Sequence, residues 1–262
     1  FTDARLGEWE TAHFVGLENF KYLVADPDWW RAVANTLVFT GIAVSIETVL
    51  GMGVALLLNQ KFAGRGLLRT AVLIPWAIPT VVSARMWSWM FNDMYGVINE
   101  LLNRSGLVHQ RLAWLASSKL SLVTVVAVDV WKTTPFMALL ILASLQSIPK
   151  NMVEAAVIDG ASPWQRFRHL TLPLIRPGLT VAVIFRTLDS LRIFDLPFIL
   201  TSNSKSTAVM SVYARQQLVD FQDVGYGSAA SFLIFCVVAA VTLIYLRLSD
   251  NQVEDDRGGR AG

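Results

Sequence analysis

Arg186, Asp189, Arg192 and Asp195 stand three residues apart, alternating in sign, inside a long apolar stretch of this 262-residue chain. Asp129 and Lys132 repeat that spacing in another apolar stretch, beside Trp131 and just before Thr133, Thr134 and Pro135. Glu47 stands alone in the middle of a third. Charge inside an apolar run is costly, so each of these groups needs a partner or a task. At helical spacing, neighbours three apart can pair, which makes a self-neutralising ladder one reading. A second reading gives Arg186, Asp189 and Arg192 to the wall of a path, hydrogen-bonding a polyhydroxylated solute. A third uses Glu47, Asp129 and the ladder to carry protons or ions. Because charges spaced by three turn slowly around a helix, all four cannot face one way, and Asp189 with Arg192 is the pair expected on the solute side. A kink at Pro135 is expected to free backbone carbonyls and expose the hydroxyls of Thr133 and Thr134. Trp131 is able to stack on a sugar ring, although packing is the commoner use of such a Trp. Glu47 is expected to pair with a charge from another helix, and Arg85 to snorkel from the end of its segment.

A different constellation interrupts the apolar runs between residues 147 and 173. Asn151 is a good N-cap for a helix over Met152–Ile158, and Gly160 can take the left-handed turn that ends it. Ser162 caps a second short helix, with Pro163 at its first position and Gln165 completing a capping box. Pro173 is expected to close that helix. Two small helices hinged at a glycine make a knob that a soluble partner could grip.

Catalytic chemistry is missing from the rest of the chain. No Gly-Lys dipeptide occurs, so there is no GxxxxGK[ST] phosphate cradle, and HExxH, CxxC and GxSxG are absent too. His13, His109 and His169 are isolated, so no metal site is readable, and Cys236, the single cysteine, is expected to pack in the core. Asp129 and Asp189 as paired catalytic carboxylates would make a membrane-embedded enzyme, but nothing points to a reaction. No basic cluster suggests nucleic acid at a net charge of +2.

The elements that must position these residues follow from composition. Hydrophobic residues make up 54% of the chain and charged ones 16%, against roughly 25% charged in a soluble domain. The apolar residues come in long runs, so the chain is read as an all-α polytopic membrane protein with five visible spans. These are expected at 32–58, 66–91, 119–146, 174–200 and 227–247. Pro75 and Pro79 predict a kink or break in the second. Val97–Leu102 reads as a short interfacial helix, and Trp9, Trp29 and Trp30 of the polar segment 1–31 as interface anchors. Residues 249–262 are expected to be a disordered tail. The segments 59–69, 147–172 and 247–262 hold 9 Lys and Arg in 53 positions, against 7 in 83 for segments 1–31, 92–118 and 201–225. The denser set reads as cytoplasmic, which puts the two-helix knob inside.

Glu154-Ala155-Ala156, then Gly160, an aliphatic Leu170, Leu172 and Pro173 at this spacing resemble the signature loop of binding-protein-dependent ABC importer permeases. Isoleucine is commoner than leucine at the position of Leu170. The resemblance implies a type I ABC importer transmembrane domain in a bacterial plasma membrane, with a further span upstream of Phe1, before the segment Phe14–Phe20. It implies a coupling loop, 150–173, in which Glu154, Ala155, Ala156, Asp159, Gly160, Leu172 and Pro173 dock on a separate ATPase. Domain closure there would move the loop as a lever. ATP and Mg would be bound by that ATPase and no cofactor by this chain, which is a non-catalytic subunit in that scheme. Asp129–Met137, Arg186–Asp189 and Arg192–Asp195 look like the carbohydrate branch, most like trehalose- and maltose-type disaccharide importers, the SugA type of actinobacteria among them. Asp129, Trp131, Lys132, Thr134, Asp189 and Arg192 would then line the substrate path. Where that branch often has a Gly-Gly-Pro turn, this chain has Ser202-Asn203-Ser204. The implied partners are a second homologous permease, two ATPase subunits, membrane lipid and an extracytoplasmic sugar-binding protein docking on 92–118 and 201–225.

Overall fold

The structure is a computed structural model that describes the backbone of residues 1–258 and the side chains of residues 1–247 other than Trp9 and Leu246. Among the described residues it is all-α. The helices in order are α1 (Glu18–Ala25), α2 (Pro27–Asn59), α3 (Arg65–Ala77), α4 (Thr80–Met90), α5 (Val97–Arg104) and α6 (Ser121–Gln146). They continue with α7 (Lys150–Ile158), α8 (Pro163–Arg166), α9 (Leu172–Leu191), α10 (Asp195–Thr201), α11 (Met210–Arg215) and α12 (Val224–Gly258). Four helical stretches are long and apolar enough to cross a bilayer: Pro27–Asn59, Ser121–Gln146, Pro163–Leu191 and Val224–Tyr245. Counting α3 and α4 as one broken span makes five.

Proline chemistry sets the breaks. Ile78 and Pro79 separate α3 from α4, because proline pushes the residue before it into extended backbone, and Ile78 has φ −69° and ψ 132°. The expected break is there. At the fourth span the expectation needs correction at both ends. Helix starts at Pro163 rather than near 174, since Pro173 does not stop it. A π-helical turn at Phe167–Thr171 runs straight into α9, and such widening relieves the clash that a proline makes with the preceding turn. The span then ends at Leu191 rather than Leu200. A new helix begins at Asp195, whose carboxylate favours the helix start, and Pro197 lies in its first turn, where a missing N–H costs no intrahelical bond.

The chain divides into two compact units. The first comprises residues 1–43, 79–129 and 188–262, and the second residues 44–78 and 130–187. In the first, Leu23, Trp29, Ala32, Met210, Tyr213 and Ala230 form the core. Trp29, expected at an interface, is buried instead and meets Tyr213 edge-on at 5.6 Å, since α2 begins already packed. Trp30 is half exposed, its Nε1–H donating to the Val24 carbonyl. The Trp9 side chain lies outside the described residues. Burial and a hydrogen bond to Asp26 push the Tyr213 hydroxyl above its ordinary range. In the second unit, Val44, Leu58, Met137, Ile141, Leu145 and Ile175 form the core. Two glycines admit close approach there: a Cβ on Gly51 would come within 2.9 Å of Met137 Cγ, and one on Gly178 within 2.0 Å of Ser144 Oγ.

Two further expectations change. Cys236 lies on an exposed face of α12 rather than in a core. The helical backbone of α12 runs on to Gly258, past residue 249 where a disordered tail was expected; extending an existing helix adds a hydrogen bond per residue with no new nucleation cost. Residues 259–262 of that tail lie outside the described residues.

Candidate functional site

Glu47 sits in the interior of α2 with no basic residue between Arg31 and Lys61, so nothing local can neutralise it. Its partner comes from α9. Arg186 Nε donates to Glu47 Oε2 at 2.6 Å and Nη2 to Oε1 at 3.0 Å, a bidentate pair with side chains 2% and 0% exposed. Thr133 of α6 closes the set, donating to Glu47 Oε1 at 2.6 Å and accepting from Arg186 Nη2 at 3.2 Å. Both lone-pair faces of the carboxylate and the fork of the guanidinium are thereby used, as a charge pair in a dry interior requires. Glu47 does find a charge on another helix. Arg186 is tied to Glu47 as well as standing in the ladder, and Thr133 turns its hydroxyl to the pair rather than into the open.

Lys132, also buried, reaches the broken end of α3. Its Nζ donates to the Ile78 carbonyl at 2.6 Å and toward that of Trp76 at 3.5 Å. The break at Pro79 leaves carbonyls without helical partners, and a cation at a helix C-terminus satisfies both their hydrogen bonding and the helix dipole. Non-helical backbone at membrane depth persists only where it is satisfied in this way. Sequence reasoning placed Lys132 on the solute path and missed this role; the signal was two prolines four residues apart in one span, a break needing a cap.

The remaining proposed path residues fall in two places. Asp129, Asp189 and Arg192 belong to the first unit: Asp129 is buried, whereas Asp189 and Arg192 are exposed, and Arg192 Nε donates to the Leu188 carbonyl at 3.2 Å. Since α9 ends at Leu191, Arg192 and Asp195 do not continue the ladder on one helix. Trp131 and Thr134 belong to the second unit and are half-buried; the Thr134 hydroxyl, expected in the open, is itself buried because α6 continues through Pro135, and it has no hydrogen-bond partner among the described residues. Also in that unit, and absent from the sequence reading, Trp76 stacks on Phe136 at 5.5 Å, and Phe136 meets Phe185 at 5.8 Å. In the first unit Asn99, buried, organises the segment 92–118, accepting from Leu112 N–H and Trp114 Nε1–H and donating to Leu112 O.

The two-helix knob has the local geometry its residues specify. Gly160 has φ +76°, its N–H reaches the Val157 carbonyl, and the Ala161 N–H reaches Ala156, which together make a Schellman closure. Ser162 Oγ accepts from Gln165 N–H at 3.3 Å while Ser162 N–H donates to Gln165 Oε1 at 2.8 Å. One detail differs: α7 is capped by the extended Pro149, and Asn151 lies inside the helix, its Oδ1 accepting from Met152 N–H. A proline is well suited to stand just before a helix, and here it takes the cap position from Asn151. Glu154, Ala155, Asp159 and Pro173 are exposed, and Ala156 and Leu172 half-buried. Ile158 is 85% and Trp164 67% exposed, an apolar surface on both helices of the kind that marks an interaction site.

The family model described as binding-protein-dependent transport system inner membrane component matches residues 47–254. The chain is 44% identical to the trehalose/maltose transport system permease protein MalF of Thermococcus litoralis, over 90% of this chain and 79% of that protein. It is 43% identical to the trehalose transport system permease protein SugA of Mycobacterium tuberculosis, over 90% and 75% respectively. The crystal structure of a bacterial ABC transporter involved in the import of the acidic polysaccharide alginate superposes with a TM-score of 0.81 at 25% identity, covering 91% of this chain and 84% of that one.

Proposed function

The chain belongs to the family of binding-protein-dependent transport system inner-membrane components, a multi-pass membrane protein of ABC importers, and from that premise we propose that it is the permease subunit of a disaccharide importer of trehalose or maltose type. It forms part of the translocation path and couples through residues 150–173 to a separate ATPase. The observation that carries the coupling is the exposed pair of short helices fixed at a left-handed Gly160, with Ile158 and Trp164 turned outward. A rigid hinge with apolar surface on both arms can transmit a displacement without absorbing it. The sugar class rests on the names of the relatives. The partners of this reading are a second homologous permease, two ATPase subunits and a sugar-binding protein that docks on 92–118 and 201–225, with 92–118 held in shape by Asn99. ATP and Mg belong to the ATPase.

The ion-coupled alternative has less support. It would use Glu47, Asp129 and the fourth-span charges, and both carboxylate oxygens of Glu47 are already engaged by Arg186 and Thr133.

The test is uptake of labelled trehalose, maltose and sucrose into vesicles holding this chain with its permease, ATPase and binding-protein partners. Uptake is expected to require ATP and an intact Glu154 loop, and to persist with a proton ionophore. Uptake that ignores ATP and collapses with the proton gradient would overturn the reading.

A further inference from the structure

We propose that a cleft at the ends of α2 and α6 is a binding site for a phosphoryl anion, either the headgroup of an anionic phospholipid or a soluble phosphate compound. The cleft lies wholly within the second unit and measures about 650 Å³, a volume in the range of small-ligand sites. Lys61, Arg65, Arg69 and Lys150 line it, against one carboxylate, Glu154. Among the described residues none of these five side chains has an ion-pair partner within salt-bridge distance.

Local structure uses only part of this charge. Arg65 Nη1 donates to the Gln60 carbonyl at 3.4 Å and Arg69 Nη2 to that of Leu58 at 3.3 Å, both at the C-terminal end of α2, where cations are favoured. That occupies one nitrogen of each guanidinium and neither lysine. The Arg69 Nε is buried without a hydrogen-bond partner, an unmet donor in a wall of like charge. Four cations held together repel one another, and an anion with several acceptor oxygens relieves both the repulsion and the unmet donor. Basic recesses between spanning helices where they leave the bilayer are suited to charged headgroups. The cleft borders α7 through Lys150, Val153 and Glu154, so an occupant would touch the same short helix that the transport reading assigns to coupling; the site itself does not depend on that reading.

The full chain in nanodiscs tests this, with native mass spectrometry reading retained lipid and thermal unfolding reading the effect of inorganic phosphate. Discs would hold phosphatidylcholine alone or mixed with phosphatidylglycerol. Retained phosphatidylglycerol, lost about fivefold for each cation removed in Lys61→Gln and Lys150→Gln, supports the lipid headgroup. A rise in unfolding temperature with inorganic phosphate in phosphatidylcholine discs, abolished in Arg65→Gln, supports a soluble phosphate ligand. The two lysines are exposed, so their variants fold even where Arg69→Gln does not. Retention of phosphatidylglycerol unchanged in the double lysine variant, with no phosphate effect on the wild type, overturns the proposal.

Discussion

Glu47 and Arg186, 139 positions apart in sequence, form a bidentate ion pair with essentially no exposed surface, and Thr133 bonds to both. The pair joins α2 to α9 with α6 supplying the hydroxyl, so it fixes the mutual register of three spanning helices. Removing one member leaves the other charged and dry, a loss of about 3–5 kcal/mol, whereas removing both leaves only a cavity and an underused hydroxyl. Glu47→Leu and Arg186→Leu are therefore each expected to lower the unfolding temperature of the purified protein sharply. The double variant should be more stable than either single one, and the double-mutant cycle measures the difference. A double variant as damaged as the two single ones added together would mean that the pair contributes nothing jointly.

Lys132 is expected to act as a cap. Lys132→Met removes a charged donor from the carbonyls of Ile78 and Trp76 and should cost about 2 kcal/mol, the scale of a hydrogen bond to a charged group. Hydrogen exchange should rise locally at residues 76–80. Lys132→Arg keeps a cation and should recover part of the protection. Unchanged exchange at the break in Lys132→Met would remove the capping role.

Gly160 has open space where a Cβ would go, so only its positive φ resists substitution. Gly160→Ala should cost about 1 kcal/mol in the left-handed region and leave transport measurable. Gly160→Pro, whose ring fixes φ near −65°, cannot form the turn at all. It should insert and assemble but uncouple ATP hydrolysis from uptake. Normal uptake by Gly160→Pro would sink the rigid-hinge argument.

Ser202 ends α10 with φ 54° and ψ −134°, a backbone that favours glycine. The Ser202-Asn203-Ser204 sequence thus departs from a Gly-Gly-Pro turn in residue type while keeping a glycine-like conformation at its first position. Ser202→Gly should raise stability by about 1 kcal/mol, because the strain of a side chain at such a position is of that order. Thermal unfolding of the purified variant checks the sign, and a lower unfolding temperature would mean that Ser202 is not strained.

How much of this was legible in the sequence depended on range. Gly160, Ser162 and Gln165 act on backbone within a few residues, so their turn and capping box could be read from spacing. The spans were legible because apolar runs must satisfy their backbone internally. Pro79 broke its span as expected, but Pro173 did not end its helix, since whether a proline terminates or is absorbed by a π turn depends on the space available to the preceding turn. The tie of Glu47 to Arg186 across 139 positions was legible only as a need for some partner. The bonds of Lys132 were not legible for the same reason: its carbonyl partners lie on another helix, 54 and 56 positions away. Asp129, Trp131, Thr134, Asp189 and Arg192 share chemistry rather than a local pattern, and periodicity does not say which of them meet a solute.

Asp189 and Arg192 are the sharpest test of the solute path, because both are exposed in the last turn of α9 and just beyond it. Asn and Gln keep much of the size and hydrogen-bonding capacity of Asp189 and Arg192, so folding should be largely retained. A hydrogen bond from a charged group to a sugar hydroxyl contributes about 1.5–3 kcal/mol. Asp189→Asn and Arg192→Gln should therefore each reduce uptake about tenfold or more, with the ATPase subunit still copurifying and the unfolding temperature unchanged. Uptake at the wild-type rate in both variants would assign the pair to the protein surface and leave the path to other residues, with Trp131 and the hydroxyl of Thr134 next in line.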